Sequence, residues 1–175
     1  MTQVEELTPE EYYRSRPKQT AGAGVIYRNP AGHVLLVKTT YGARKWEIPG
    51  GGLDHGEFPR TTAQREVHEE LGITRELGRL LAIDWVPYTP PIPGAPPAHL
   101  ANHLYDGGIL DDADVAALRC DPAEIEYFEF CDHDVYHAYL EPHMARRVDA
   151  CLAALRTDRT PDLQHGYDPA PARPS

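Results

Sequence analysis

The chain has 175 residues, 41% of them hydrophobic and 25% charged, and its 17 basic against 27 acidic residues give a formal net charge of −10. This length and composition suit one globular domain that buries a core without disulfides, together with short flanking segments. The acidity argues against nucleic-acid polymers and anionic membranes as partners, and no apolar run approaches the roughly 20 residues that span a bilayer.

Three cysteines, Cys120, Cys131 and Cys151, lack the spacing of a metal site. They predict reduced thiols that pack as small core residues, which is typical of a cytoplasmic protein. The start of the chain is acidic and polar, so no signal peptide is predicted. We therefore expect a cytoplasmic location.

The predicted elements follow an acidic N-terminal extension, residues 1–18. Short apolar runs between turn residues predict strands over 20–27, 34–37, 46–48, 77–86, 100–105 and 125–130. The first two strands should form a hairpin, because Asn29-Pro30-Ala31-Gly32 between them is typical of a turn. The spacing of apolar residues predicts helices over 59–71 and 144–155.

Two segments lack any such pattern. Residues 87–97 contain six prolines in eleven positions, which excludes a regular element and predicts a stiff surface loop. After Thr160 the chain has four prolines and little that is apolar, so residues 158–175 are predicted to be a tail, mobile or folded over the surface. We expect one domain over residues 19–157 and expect deletion of residues 161–175 to leave it intact.

Three glutamates share one face of the helix predicted over 59–71. Glu66, Glu69 and Glu70 lie within about 100° of arc, beside the apolar stripe of the same helix. Like charges at this spacing destabilise a helix by about 0.2–0.5 kcal/mol per pair, whereas a hard cation takes several carboxylate oxygens. A solvated acidic face is the alternative. The strand and glycines before the helix favour the cation, because their backbone groups can approach whatever the carboxylates hold.

The segment from Gly51 has the pattern Gly-x5-Glu57-x7-Arg65-Glu66-Val67-x-Glu69-Glu70-x-Gly72-Ile73. It resembles the Nudix box, Gly51–Ile73 here, in all nine specified positions. A chance match has a probability on the order of 10⁻⁷ per chain, from ordinary residue frequencies. The resemblance implies an α/β (α+β) fold class: a Nudix-type α/β/α sandwich with a mixed sheet and the catalytic loop and helix, extending over about residues 20–155.

The same resemblance implies an enzyme that hydrolyses a diphosphate linkage in a nucleoside diphosphate linked to another group, with Mg²⁺ or Mn²⁺ as cofactor. The implied catalytic residues are Arg65, Glu66, Glu69 and Glu70. The implied metal ligands are Glu66, Glu69 and Glu70, joined by the carbonyl of Gly50 and, directly or through water, by Glu57. Arg65 precedes Glu69 by one turn, and we expect it to orient the carboxylates.

The general base and the substrate contacts are less constrained by the motif. The base is predicted to be a box glutamate or a later acid, namely Asp111, Asp112, Asp114, Asp121 or Glu124. Candidate substrate contacts are the cations Lys38, Arg44 and Lys45 and the aromatic residues Trp85 and Tyr88. The partner is expected to be a small nucleotide-type molecule, with ADP-ribose, nucleotide sugars and nucleoside triphosphates as alternatives. We expect the loop 87–97 to border the nucleotide pocket. The sequence is compatible with either a monomer or a homodimer.

A second pattern, His133-Asp134-x-x-His137 with His143 further on, has the histidine spacing of zinc proteases. Asp134 stands where those proteases need a longer glutamate, and Pro142 interrupts any helix through His143. We therefore predict a short helix carrying surface histidines rather than a zinc site.

Two further functions compete with hydrolysis. A non-catalytic Nudix-like nucleotide-binding domain usually has an eroded box, whereas all three metal carboxylates are present here. The isoprenoid diphosphate isomerase of similar fold has a cysteine before the box, and the first cysteine here is Cys120. Both alternatives are therefore less well supported than hydrolysis.

Overall fold

The computed structural model describes residues 7–17, 19–41, 45–88 and 98–169, apart from the side chain of Tyr88. The helices are α1 (Pro9–Ser15), α2 (Pro59–Leu71), α3 (Asp112–Ala117), α4 (His133–Tyr139) and α5 (Pro142–Ala154). The strands are β1 (Thr20–Arg28), β2 (Val34–Thr39), β3 (Trp46–Glu47), β4 (Gly50–Gly52), β5 (Leu80–Tyr88), β6 (Ala98–Ile109), β7 (Ile125–Cys131) and β8 (Asp162–Gln164). Within these residues, no helix has the length and apolar character needed to traverse a bilayer.

The strands form one mixed sheet in the order β3-β2-β1-β6-β5-β8, with β4 paired to β1 and β7 paired to β2. β1 is parallel to β6 and β5 is parallel to β8, while the other pairs are antiparallel. Most of the proline-rich loop, residues 89–97, lies outside the described residues.

Helices pack on both faces of this sheet, because successive side chains of a strand point to opposite sides. On one face Leu35 of β2 belongs to the same buried cluster as Val67 of α2. On the other face Leu36 of β2 is clustered with Val148 of α5. The predicted α/β/α sandwich with a mixed sheet is confirmed.

β1 and β2 separate along their length, which makes room for the segment before α2. The two strands pair at Arg28 and Val34, but further along β1 the partner is β4, with Ala23 opposite Gly51. The N–H of Val25 also donates to the carbonyl of Pro49 at 2.9 Å. Residues 49–52, the glycine loop, are thus fixed at the centre of the sheet.

The C-terminal segment is predicted to be a tail, mobile or folded over the surface, and part of it is instead a strand of the sheet. Residues 162–164 form β8 along the edge of β5, and Leu163 is fully buried in the core beneath α5. The N–H of Gly166 donates to the buried carboxylate of Asp84 at 2.8 Å. The prediction is therefore corrected for residues 161–169, and a domain boundary at residue 157 leaves out a strand of the sheet.

We expect removal of residues 161–175 to destabilise the domain. Loss of a fully buried leucine costs about 2–5 kcal/mol, which lowers the melting temperature of a domain of this size by roughly 4–20 °C. Leu163→Ala in the full chain should reproduce much of this loss, and Gln164→Ala, on the exposed side of the same strand, should not. Thermal unfolding followed by circular dichroism tests this. A truncated chain that melts with the full-length protein would contradict it.

Candidate active site

Two glycines of the glycine loop leave no room for a side chain. Gly50 has a φ of +143°, and a Cβ there would lie 2.2 Å from the carbonyl oxygen of Ala23. A Cβ on Gly51 would lie 2.4 Å from Oε1 of Glu66. The loop backbone therefore contacts β1 on one side and a carboxylate of α2 on the other.

α2 is oriented by its apolar stripe. Ala63, Val67 and Leu71 are fully buried against the sheet. The helix ends at Gly72, whose left-handed conformation matches its predicted place just beyond the last turn. Because Glu66 and Glu70 flank the stripe, its packing directs both side chains toward the glycine loop.

Glu70 is only 2% exposed, and its Oε2 accepts the N–H of Gly50 at 3.0 Å. Burial raises the pKa of Glu70 to about 8; the N–H of Gly50 opposes this, and nearby acids including Glu66 add to it. Burial also raises the pKa of Glu66, although Arg65 opposes the effect. Burial therefore disfavours the charged form of both carboxyl groups, and the neighbouring acids add to this effect.

Arg65 joins the cluster to the segment after the glycine loop. Its Nε and Nη2 donate to Glu57 at 2.9 and 3.0 Å, and its Nη1 lies 2.9 Å from both Glu66 and Glu69. Hydrogen bonds from Arg65 and Thr62 lower the pKa of Glu57 to about 2, and the bond to Glu57 raises the pKa of Arg65. The predicted contact between Arg65 and Glu69 is present. Glu57 engages Arg65 with both oxygens, so its direct role here is to hold that arginine.

Two acids from other elements act on this cluster. The charge of Glu124, one of the predicted candidate bases, raises the pKa of both Glu66 and Glu70. Glu47 of β3 has the same effect on Glu70, and its own pKa is raised by burial. Burial and the charges of these acids raise the pKa of Tyr41 to about 12. Glu124 and Glu47 therefore belong to the electrostatic surroundings of the box glutamates.

Other predicted base candidates have local partners. Asp111 accepts two N–H groups at the start of α3, and Asp114 pairs with Arg75 at 2.6 Å. Asp121 accepts the N–H of Ala123. Each of the three acids therefore stabilises the surface segment in which it lies.

A cleft of about 240 Å³ opens beside the glycine loop. The backbones of β1 and β4 form its floor, and its walls include Glu47, Ile48, Asn102, Leu104, Met144 and Arg147. Arg147 is 6% exposed, and its Nε donates at 2.7 Å to the fully buried carboxylate of Asp84. Because one edge of the guanidinium is fixed in this way, the wall of the cleft carries a positioned positive charge.

The two described lysines among the predicted substrate contacts have other partners. Lys38 lies 3.8 Å from Glu126 and above the ring of Tyr127, and Lys45 lies 3.4 Å from Glu141. Neither lines the cleft beside the glycine loop. Arg44 lies outside the described residues.

Trp85 is also placed elsewhere. Its indole N–H donates to Asp162 of β8 at 2.9 Å. Together with His99 and His165 it lines a separate cleft of about 480 Å³ at the β5–β8 edge. The side chain of Tyr88, the other predicted aromatic contact, is outside the described residues.

Sequence reasoning missed Glu47 and Arg147. A signal for Arg147 existed, because it lies on the buried stripe of α5, one turn after Met144 and one turn before Cys151. Asp84 gives a matching signal, since it interrupts an apolar strand. Opposite charges at two core positions indicate a buried pair. The sequence around Glu47 gives no such signal, because the residue comes close to the site only through the position of β3 in the sheet.

Known proteins similar in sequence match part of this chain. The RNA pyrophosphohydrolase of Roseobacter denitrificans is 36% identical over 88 residues, which are 49% of this chain and 54% of that protein. The RNA pyrophosphohydrolase of Aliivibrio fischeri is 39% identical over 70 residues, which are 39% of this chain and 41% of that protein. The chain thus spans about half, or less, of the length of these curated relatives.

A solved structure supports the fold over a longer stretch. The MutT protein from Methanosarcina mazei Go1 superimposes with a TM-score of 0.60 and 20% identity, over 83% of this chain and 98% of that one. At this identity the likeness shows the fold alone. The family model described as "NUDIX domain" matches residues 18–151 of this chain. Since that match covers most of the chain and contains the whole box, the chain belongs to the NUDIX domain family.

Proposed function

We propose that this protein is a metal-dependent hydrolase that cleaves a diphosphate linkage in a nucleoside diphosphate joined to another group. The observation that carries the proposal is the convergence of the box on the glycine loop. Glu70 accepts the N–H of Gly50, and the carboxylate of Glu66 lies where a side chain on Gly51 would have to be. Arg65 bridges Glu66 to Glu69, so the three carboxylates share one site.

A divalent cation fits this site. The carboxylate donors all offer oxygen, which Mg²⁺ and Mn²⁺ prefer, and a cation would favour the charged forms that burial and, to a smaller extent, neighbouring acids disfavour in Glu66 and Glu70. We assign Glu66, Glu69 and Glu70 as ligands, with the Gly50 carbonyl completing the set. When bound, the cation supplies neutralising charge for the diphosphate and makes a water more acidic.

The remaining roles follow from the contacts of each side chain. Arg65, fixed by Glu57, keeps the carboxylates in place. Glu124 is our candidate for the base that accepts the proton of the attacking water, because its charge acts on the same cluster from outside α2. Arg147 lines the cleft, where its guanidinium is our candidate for binding an anionic part of the substrate.

For the substrate we propose a small nucleotide-type molecule such as ADP-ribose, a nucleotide sugar or a nucleoside triphosphate. The solved structures of similar fold include an Ap4A hydrolase from C. elegans, with a TM-score of 0.55 and 22% identity over 78% of this chain and 95% of that one. The names of the curated relatives point instead to RNA. The formal charge of −10 argues against an RNA polymer as the substrate, because a negatively charged protein repels polyanions.

The deciding experiment is a substrate panel with Mg²⁺ or Mn²⁺, in which products are identified by mass spectrometry. The panel contains the three small classes, Ap4A and a short RNA with a 5′-terminal di- or triphosphate. We expect metal-dependent cleavage of a small substrate, and chelation should abolish it. Preferred cleavage of the RNA would overturn the substrate class while leaving the reaction in place. Tight nucleotide binding without turnover by any metal-loaded sample would favour the non-catalytic nucleotide-binding domain.

The glycine loop gives a matched pair of variants. We expect Gly51→Ala to lower activity by about 100-fold, because the added Cβ displaces the carboxylate of Glu66 and misplacement by about 1 Å has costs of this order. Its melting temperature should change little, since the clash is with the end of a flexible side chain. Gly52→Ala should remain active, because nothing lies within 4 Å of its Cβ. Equal activities of the two variants would contradict the role given to the loop.

A further inference from the structure

A cluster of nitrogen and oxygen donors joins α4 to α5, and it shares no residue with the carboxylate site of α2. His133 and His137 stand one turn apart on α4, with ring centres 4.3 Å apart. Asp149 reaches them from α5. Its Oδ2 lies 3.0 Å from Nε2 of His137, and its Oδ1 lies 3.9 Å from Nε2 of His133. One donor atom from each residue can be chosen so that all lie within 4.8 Å of one another.

Neighbouring groups hold these donors in place. Nδ1 of His133 lies 3.0 Å from a carboxylate oxygen of Asp134, which leaves Nε2 directed at the cluster. The hydroxyl of Tyr136 donates to Oδ1 of Asp149 at 2.6 Å. A carboxylate behind a histidine and a hydrogen bond to a ligating carboxylate are the supports that metal ligands commonly have.

The third histidine of the sequence pattern is not part of this cluster. His143 packs instead against His165, with ring centres 4.5 Å apart. The three-histidine zinc site that the sequence disfavoured is therefore not formed. The donor that replaces His143 is Asp149, which the spacing of the histidines does not indicate.

We propose that Nε2 of His133, Nε2 of His137 and the carboxylate of Asp149 form a site for a divalent transition metal, with Zn²⁺ as the probe. Two imidazoles and one carboxylate suit Zn²⁺, whereas Mg²⁺ prefers oxygen donors alone. Zinc–nitrogen bonds of about 2.0–2.1 Å place tetrahedral neighbours about 3.4 Å apart. Oδ1 of Asp149 lies 3.2 Å from Nε2 of His137 and 3.9 Å from Nε2 of His133, and these two separations bracket that value.

The three side chains are partly exposed, so solvent can reach the site and supply further ligands. Binding would replace the hydrogen bond between His137 and Asp149 with one metal bond from each residue, and the imidazole proton of His137 would then reside on Nδ1. A bound metal would therefore link α4 to α5. α5 is also the helix that contains Arg147, one of the residues lining the cleft.

The test is calorimetric titration of chelator-treated, full-length protein with Zn²⁺ in excess Mg²⁺, which occupies oxygen-only sites. We expect one Zn²⁺ per chain, and binding weakened by at least about tenfold in His137→Ala and in Asp149→Asn, since loss of even a supporting residue costs about 10–100-fold. His143→Ala is the matched control and should bind as the wild type does. Circular dichroism verifies that each variant is folded.

Cu²⁺ provides a second readout, because its electron paramagnetic resonance spectrum reports bound nitrogen. Wild-type protein should show coupling to imidazole nitrogens, and the coupling should be reduced in His133→Ala. Weakening by His143→Ala without weakening by Asp149→Asn would overturn the proposal in favour of the three-histidine pattern. Undetectable Zn²⁺ binding, or equal binding by all variants, would show that the cluster is only an ion pair between two helices.

Discussion

Glu69→Gln and Glu70→Gln are each expected to lower kcat by more than about 100-fold on whichever substrate the panel identifies. Changes to residues that merely support a metal ligand cost about 10–100-fold, so loss of a ligand's charge should cost more. Glutamine is nearly isosteric, and at position 70 its amide oxygen can still accept the N–H of Gly50. The stripe through Val67 stays packed, so we expect both variants to fold.

Metal-dependent stability separates this explanation from a simple solvated helix face. Mg²⁺ stabilises whichever state binds it, so it should raise the melting temperature of the wild type more than that of either variant. Without metal, Glu70→Gln should be as stable as the wild type or slightly more so, because burial and neighbouring acids already disfavour the charged carboxylate at that position. Glu69→Gln loses an ion pair with Arg65, and a partly exposed pair of this kind contributes only about 0–1 kcal/mol, so its stability should change little. Glu76→Gln, at an exposed carboxylate beyond the box, is the control and should keep both activity and the Mg²⁺ effect. Wild-type turnover in both box variants would show that α2 is not part of the catalytic site.

The second large effect is expected from the buried pair of Asp84 and Arg147. The side chains are 0% and 7% exposed, and removing one partner of such a pair leaves a buried charge at a cost of about 3–5 kcal/mol. For a domain of this size, Arg147→Met should therefore lower the melting temperature by roughly 6–20 °C. Arg156→Met, at the exposed end of the same segment, should change it little.

A double-mutant cycle with Asp84→Asn tests whether the two side chains act as a pair. The double variant should lose less stability than the sum of the single variants, because neither buried charge is then left alone. If Arg147 also binds substrate, folded Arg147→Met should show a raised KM with a smaller change in kcat. Additive losses of stability would show that the two residues contribute independently.

The parts of the site that lie close together in sequence could be predicted. The spacing of Glu66, Glu69 and Glu70 on one helix fixes their common face, and Gly51 precedes them by a short loop. Their contact with the loop backbone follows once the apolar stripe packs on the sheet. The prediction of the sandwich succeeded for the same reason, since alternation along a strand specifies which side chains enter which core.

The parts that depend on distant segments could not be predicted. Glu47, Glu124 and Arg147 come from a strand, a turn and a helix whose convergence is set by the order of strands in the sheet. A charge in an apolar pattern indicates a buried partner but does not identify it. Lys38 and Trp85 show the converse, because residue types that suit a substrate also suit an ion pair or a strand edge.

The sequence did not predict β8, and the reason is a different one. The segment is polar and rich in proline, and its one large buried side chain, Leu163, gives no periodic pattern. What orders it is the unpaired edge of β5, which supplies backbone hydrogen bonds to any short extended segment. Such pairing depends on the neighbour more than on the strand's own composition.

The floor of the cleft consists of small residues of β1 and β4 and presents mainly peptide groups. Peptide groups are the same in every residue, so such a floor distinguishes poorly between ligands of similar shape. Discrimination then rests on wall residues such as Asn102 of β6 and Met144 of α5, which belong to elements other than the helix of the three glutamates. Substitutions at a few wall positions can therefore change ligand preference without changing the three glutamates of α2.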